Sequence, residues 1–300
     1  MSDQVKKDAE AMLNMLSSRE IRFCRELQQA YEYELSFYKS MIPQLNELEK
    51  KRSGLVGGKA AAILYGNDGY YYPLVAGEKV IRQLHELDAK FAEAIIRHIG
   101  DARCVHFDGC GAVLPEYPKC SREKGISKLA WKKYNNEVLT LTLHFEDILA
   151  WMYRQLDGMT FEERAFAQLT EQCRSAVRSY DKRAMYERNN SVILLNDLFG
   201  AMEDRRSGGW YVSGSVQTVL RGLSHFETRS LRRIPVSLRV LFDEAGADTK
   251  KIVCEDCKKV KEIRLYRNGR VAISFRSPKF AKEFEEAYLC EPAADASKAA

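Results

Sequence analysis

A chain of 300 residues with 45% hydrophobic content has room for one large domain or two ordinary ones, and it is not a disordered polymer. Its 47 Lys and Arg against 42 Asp and Glu leave a net charge of +5, too slight by itself to identify a nucleic-acid binder. No apolar run reaches the roughly 18 residues of a membrane span, Met1-Ser-Asp-Gln-Val-Lys-Lys-Asp has no signal-peptide core, and the eight cysteines are irregularly spaced; a soluble, cytoplasmic protein with reduced thiols is expected.

Met12, Leu13, Leu16, Phe23, Leu27, Tyr31, Leu35 and Tyr38 recur three or four apart, which predicts helix from Val5 to about Lys51, bent or restarted at Pro43. So amphipathic an arm needs a partner, either the rest of the chain or a second copy, and a homo-oligomer is expected. Lys51 to Gly58 reads as a basic, glycine-rich linker. The turn Gly66-Asn-Asp-Gly69 precedes Tyr70, Tyr71 and Tyr72, a cluster suited to a protein contact because tyrosine buries area at low entropic cost, although some of its rings belong to a core. A second helix is predicted from Glu78 to Ile99, with Gly100 as its stop signal. The stretch Cys104 to Cys120 reads as a turn-rich insertion with two short strands.

Glu137 to Phe145 is β-branched enough for a strand, and Glu146 to Leu156 has helical spacing. Thr160-Phe-Glu-Glu163 is a capping box opening a long helix to about Arg188, and Asn190 or Ser191 caps another through about Met202. Trp210 to Val212 is a short strand, Ser215 to Phe226 a helix, and Pro235 opens one more that ends near Gly246. The expected organisation is a helical arm and linker over 1–58, a helix with the cysteine-containing insertion over 59–136, a helical body with a terminal hairpin and helix over 137–290, and a frayed tail over 291–300. The class is α+β, predominantly helical with a small antiparallel sheet.

The most informative stretch is Val260 to Leu289. Two apolar runs flank Asn268-Gly269, the strongest local hairpin signal. Ile263, Leu265, Val271, Ile273 and Phe275 all carry odd numbers. A two-residue loop would split them between faces; a three-residue loop, Arg267 to Gly269 with Gly269 left-handed, puts all five on one face. The other face then bears Arg264, Tyr266, Arg270 and Arg276. Ser277 caps a following helix, Pro278 fits its first turn, and Phe280, Phe284 and Tyr288 recur at helical spacing.

The string Ile263-Arg-Leu-Tyr-Arg-Asn-Gly-Arg-Val-Ala-Ile-Ser-Phe275-Arg-Ser-Pro278 with its helix resembles the C-terminal end of an uncharacterised family carried by plasmids, prophages and phages, often beside DNA methyltransferase genes. The likeness covers roughly the last tenth of the chain, with a looser similarity of layout before it. That family has no assigned active site, so the resemblance implies a mobile-element setting and no catalytic residue.

Four candidate ligands, Cys104, His106, Cys110 and Cys120, lie in one turn-rich segment and make a non-standard zinc set; the competing reading is a patch of small buried residues. Cys254-Glu-Asp-Cys257 is a lone Cys-x-x-Cys, readable as half a zinc site, a redox pair or plain structure. No other cofactor is implied. Gly54-Leu-Val-Gly-Gly-Lys-Ala60 fails as a phosphate loop on spacing and lacks the hydroxyl for magnesium.

Lys250 to Lys282 holds eleven basic residues against three acidic ones, a local excess of eight. Lys258, Lys259, Lys261, Arg264, Arg267, Arg270 and Arg276 with Tyr266 form a basic patch with one stacking platform; the plainer reading is a solvated hairpin whose cations discourage edge pairing. The expected function is non-enzymatic: stoichiometric contact with nucleic acid or with a host complex, including a defence complex. A metal-stabilised nucleic-acid-processing enzyme is the alternative.

Overall fold

The computed structural model describes residues 2–55, 72–116, 137–178, 185–196, 200–203, 209–243 and 246–290. The chain divides into two compact units, Met1–Gly158 and Met159–Ala300. The expected division at residue 137 differs from this one, because the helix that follows it packs within the first unit.

The first unit is built from α1 (Asp3–Met15), α2 (Ser18–Leu55), α3 (Tyr72–Arg103), a 3-10 turn (Cys110–Val113) and α4 (Phe145–Gln155). α1 packs on α4 and α2 on α3. The predicted N-terminal helix breaks at Leu16 and Ser17, not at Pro43, which α2 carries inside it. The break has a local cause: Ser17 N donates to Glu20 Oε2 at 2.7 Å while Glu20 N donates back to Ser17 Oγ at 3.3 Å. Gly100 does not stop α3 but makes room beside it, since a Cβ there would sit 2.6 Å from the Val105 carbonyl oxygen.

The strand expected at Glu137 to Phe145 is absent. Residues 137–140 form a helical turn, and 141–144 have no regular secondary structure before α4. The backbone groups that would enter a ladder are taken by side chains of α2. Lys39 Nζ donates to the carbonyls of Leu139, at 3.0 Å, and Leu141; Leu143 N donates to Tyr31 Oη at 3.2 Å; Phe145 N donates to Gln28 Oε1 at 2.9 Å. The two short strands expected near Cys104 are likewise absent among described residues 104–116.

The second unit opens with α5 (Phe161–Ala176), whose capping box is as predicted: Thr160 N donates to Glu163 Oε2 at 2.8 Å and Glu163 N to Thr160 Oγ1 at 3.2 Å. The helix is shorter than expected, and the helix predicted after Asn190 is a strand hairpin, β1 (Tyr186–Asn189) and β2 (Val192–Leu195), turning at Asn190 with φ 53°. Asparagine tolerates that left-handed geometry, and Val-Ile-Leu-Leu suits a pleated surface. There follow the paired β3 (Ala201–Glu203) and β4 (Trp210–Val212), α6 (Gly214–Thr228), and α7 (Val236–Arg239), a single turn where Pro235 was expected to open a helix reaching Gly246. β5 (Lys251–Val253), β6 (Val260–Leu265), β7 (Val271–Phe275) and α8 (Pro278–Phe284), continued by a π-helical turn (Glu285–Leu289), complete it.

One antiparallel sheet runs in the order β1-β2-β7-β6-β5. Its inner face buries Ile193, Leu195, Ile263, Leu265, Val271, Ile273 and Phe275 in one core with Cys173, Leu220, Phe226, Phe284 and Tyr288 from the helices. The fold is α+β, as the sequence predicts. Among the described residues no helix is long and apolar enough to cross a membrane.

Candidate functional site

The terminal ribbon turns through three residues. Leu265 pairs with Val271, Tyr266 N donates to Arg270 O at 3.0 Å, Gly269 N donates to Tyr266 O at 3.0 Å, and Gly269 has φ 85°. All five odd-numbered apolar side chains are buried, while Arg264, Tyr266, Arg270 and Arg276 are exposed. Ser277 Oγ caps α8, accepting from Phe280 N at 3.4 Å, with Pro278 in the first turn. One irregularity escaped the pattern: a bulge between Val260 and Glu262 turns Val260 inward beside Phe275, while Glu262 keeps to the outer face with Arg264.

The basic residues do not form one patch. β6 spans six residues, about 20 Å at the rise of a strand, and separates two groups. At the hairpin end, Lys251 on β5 faces Arg264, and Tyr266 faces Arg270 across the ribbon. Glu262 joins this group, 3.2 Å from Lys251 Nζ and 2.6 Å from Arg264 Nε. Its burial pulls the carboxyl up, but the two cations outweigh that and hold it below the usual range. Arg267 Nε pairs with Glu203 at 3.0 Å. Lys251, Arg264, Arg267 and Arg270 are thus four cations against Glu262 and Glu203, two carboxylates, which leaves an excess of two positive charges around a Tyr266 that is 42% exposed. Val253, 51% exposed, continues the same face.

At the other end the cations serve the fold. Lys259 Nζ donates to Phe226 O and stands 3.9 Å from the centre of that ring. Burial lowers its affinity for the proton, with Arg229 adding to the effect. Arg276 donates to the carbonyls of Cys257, at 3.1 Å, and Cys254, at 3.3 Å. Lys258 and Lys261 are exposed and, among the described residues, make no ion pair.

The remaining candidates fare differently. Tyr70, Tyr71 and the side chain of Tyr72 lie outside the described residues, as does Cys120. Cys104 sits at φ 58° and half-buried; His106 is exposed and pairs with Asp108 at 2.9 Å; Cys110 opens the 3-10 turn. Among the described residues no three His, Cys, Asp or Glu side chains converge on a point that would hold a metal ion. Lys251 and Glu262 were missed as members of the hairpin group. Lys250-Lys-Ile-Val253 carried a weak strand signal, but its pairing partner did not follow from it. No family model matches the chain, and no curated protein or solved structure matches it either.

Proposed function

We propose that the chain is a binding module that acts by stoichiometric contact, and that the outer face of the C-terminal sheet around Tyr266 is the surface that meets its partner, a nucleic acid. The observation that carries this reading is the alignment of Lys251, Arg264, Tyr266 and Arg270 on one solvent-facing surface of a sheet whose opposite face is locked in a core. Cations on such a face neutralise phosphates, and an exposed ring gives an unpaired base a stacking surface. The resemblance of the terminal stretch to proteins of mobile elements found beside DNA methyltransferase genes is instead the ground for a second partner class, a host complex.

The test is anisotropy of labelled single-stranded DNA, single-stranded RNA and duplex DNA across a salt series. Binding should weaken with salt at a log-log slope of about −2, the value for two to three phosphate contacts on a single strand. Arg270→Glu should weaken every nucleic acid about tenfold. Tyr266→Ala should cost about 1–3 kcal/mol on single strands and spare the duplex. Absence of binding at about 50 mM salt, or binding that both variants leave intact, overturns the reading.

A further inference from the structure

Cys254 and Cys257 belong to the turn between β5 and β6, and the backbone groups of both cysteines and of the two lysines after them are held by hydrogen bonds. Cys254 N donates to Lys261 O at 3.0 Å and Cys257 N to Cys254 O at 3.3 Å. Arg276 holds both cysteine carbonyls. From α6, Glu227 accepts the N–H groups of Lys258 and Lys259, the latter at 3.0 and 3.1 Å. From the turn itself, Asp256 reaches back to α7, where Val236 N donates to its Oδ2 at 2.6 Å and the Ser237 hydroxyl to its Oδ1.

Within this frame Cys254 Sγ lies 4.0 Å from the Ile252 carbonyl oxygen, and Cys257 Sγ lies 3.9 Å from both Asp256 Oδ1 and the Ser237 hydroxyl. A turn closed by an i to i+3 hydrogen bond keeps its end Cα atoms within about 7 Å, which overlaps the roughly 4.4–6.8 Å that a disulfide spans. The turn closed by Cys257 N and Cys254 O therefore holds the two residues at a backbone separation that a disulfide can bridge. A metal would need further donors, and none converges here among the described residues.

We propose that Cys254 and Cys257 are a modification site, a dithiol that a small peroxide closes into an intrachain disulfide. Cys254 thiolate attacks one peroxide oxygen, the O–O bond breaks, and Cys254 becomes a sulfenic acid as hydroxide leaves and takes up a proton. Cys257 sulfur then displaces the sulfenic hydroxyl as water and forms the S–S bond. Two thiols and one hydrogen peroxide give one disulfide and two waters, with two electrons passing from sulfur to oxygen.

The chain contains its own controls. Cys24 and Cys173 are also buried, but burial, the largest cause at each, pushes their thiols up to about 12. For Cys254 the neighbouring Cys257 thiol is the largest cause and brings the thiol below its usual value despite burial. Reactivity follows the thiolate, so the pair should react while the isolated buried thiols stay inert. Cys254 is fully buried and Cys257 is 3% exposed, which restricts the oxidant to something as small as peroxide.

The experiment treats the intact, reduced chain with hydrogen peroxide, blocks remaining thiols after denaturation, and maps the peptides by mass. The Cys254–Cys257 peptide should lose the mass of two hydrogen atoms, reversibly with dithiothreitol, at least about tenfold faster than Cys24 or Cys173 changes. In Cys257→Ser the reaction should stop at a sulfenic acid on Cys254 that dimedone traps. A peptide that stays dithiol while Cys24 or Cys173 oxidises overturns the proposal. So does a bridge from either cysteine to another chain, or passage to sulfinic acid without a bridge. Because the wild-type map reads the bridge directly, a serine variant that fails to fold does not blur the result.

Discussion

The two units solve the problem of register by different means. In the helical unit, polar side chains are buried at the seams: Asp8, Glu20, Gln28 and Asp88. Glu20 takes a two-pronged pair from Arg103, Nε to Oε1 at 2.8 Å and Nη2 to Oε2 at 2.6 Å, and Tyr31 Oη donates to Asp88 Oδ1 at 2.7 Å. In the sheet unit the buried polar side chains among the described residues, Thr170, Ser224 and Glu262, do not join one helix to another: the two hydroxyls donate to carbonyls of their own helices, Ala167 and Leu220, Glu262 lies on the outer face, and the core is a run of rings and aliphatic chains. Helices slide and roll against each other with little change in buried area, so polar pairs that must be satisfied fix their alignment. A strand carries its own ruler: a slip by one residue turns its whole apolar set outward.

If that contrast is right, the largest loss in the sheet unit comes from deleting volume. Phe284 touches Phe226, Phe275 and Tyr288, with ring centres 5.5, 5.7 and 4.9 Å away. Phe284→Ala should cost about 3–5 kcal/mol, read as faster hydrogen exchange in peptides spanning β6 and β7. A cost below about 1 kcal/mol would mean that this core is not what holds the sheet.

The corresponding break in the helical unit removes a charge. Arg103→Met leaves the Glu20 carboxylate enclosed without its partner and should cost about 3 kcal/mol, seen as a lower urea midpoint for α2. It should also change the response to acid. Burial raises the Glu20 carboxyl, but Arg103 and Ser17 outweigh it and lower it from 4.5 to about 2. With the folded value depressed, the stability from this pair is full above about 4.5 and is lost as pH falls toward about 2. Wild type should show that acid limb, and Arg103→Met should lack it. An identical limb in both would place the acid sensitivity elsewhere.

The contrast also explains what was legible beforehand. The ribbon register followed from parity alone, because Ile263, Leu265, Val271, Ile273 and Phe275 admit one loop length that buries them together. Capping boxes are local too, so Thr160 to Glu163 was readable, and Ser17 to Glu20 carried the same signal unread. By contrast, the segment 137–144 has strand-like residues but helical neighbours. Its hydrogen bonds, and that of Phe145 N after it, go to Gln28, Tyr31 and Lys39, a hundred or more residues away, and no local pattern encodes that. The basic surface failed for a related reason. Composition counted eleven cations together, whereas strand direction sends some to the hairpin end and commits Lys259 and Arg276 to carbonyls at the other.

A smaller effect probes how tightly the sheet unit is filled. A Cβ on Gly222 would lie 2.6 Å from Cys173 Sγ and 3.2 Å from a ring carbon of Tyr288. Gly222→Ala gains helix propensity yet must displace one of them, so a net loss of about 1–2 kcal/mol is expected by thermal unfolding. Cys173→Ala in the same chain should restore part of it, since the thiol is the nearer obstacle. A neutral Gly222→Ala would show that α5 and α6 have slack between them.

The smallest effect tests the turn that sets the register. Gly269 has φ 85°, its N–H closes the loop on Tyr266 O, and its carbonyl accepts from Ala201 N at 2.9 Å. An alanine there adopts a left-handed conformation at a cost of about 1–2 kcal/mol, while asparagine, which visits that region more readily, should cost less. Since the flanking strands are locked by their inner side chains, Gly269→Ala should lower the midpoint of unfolding without moving a single strand contact, and amide shifts should stay confined to Tyr266 through Arg270 and to Ala201. Shifts that spread along β6 and β7 would mean that the loop, and not the apolar face, decides how the ribbon pairs. The ruler attributed to the sheet would then lie in one residue.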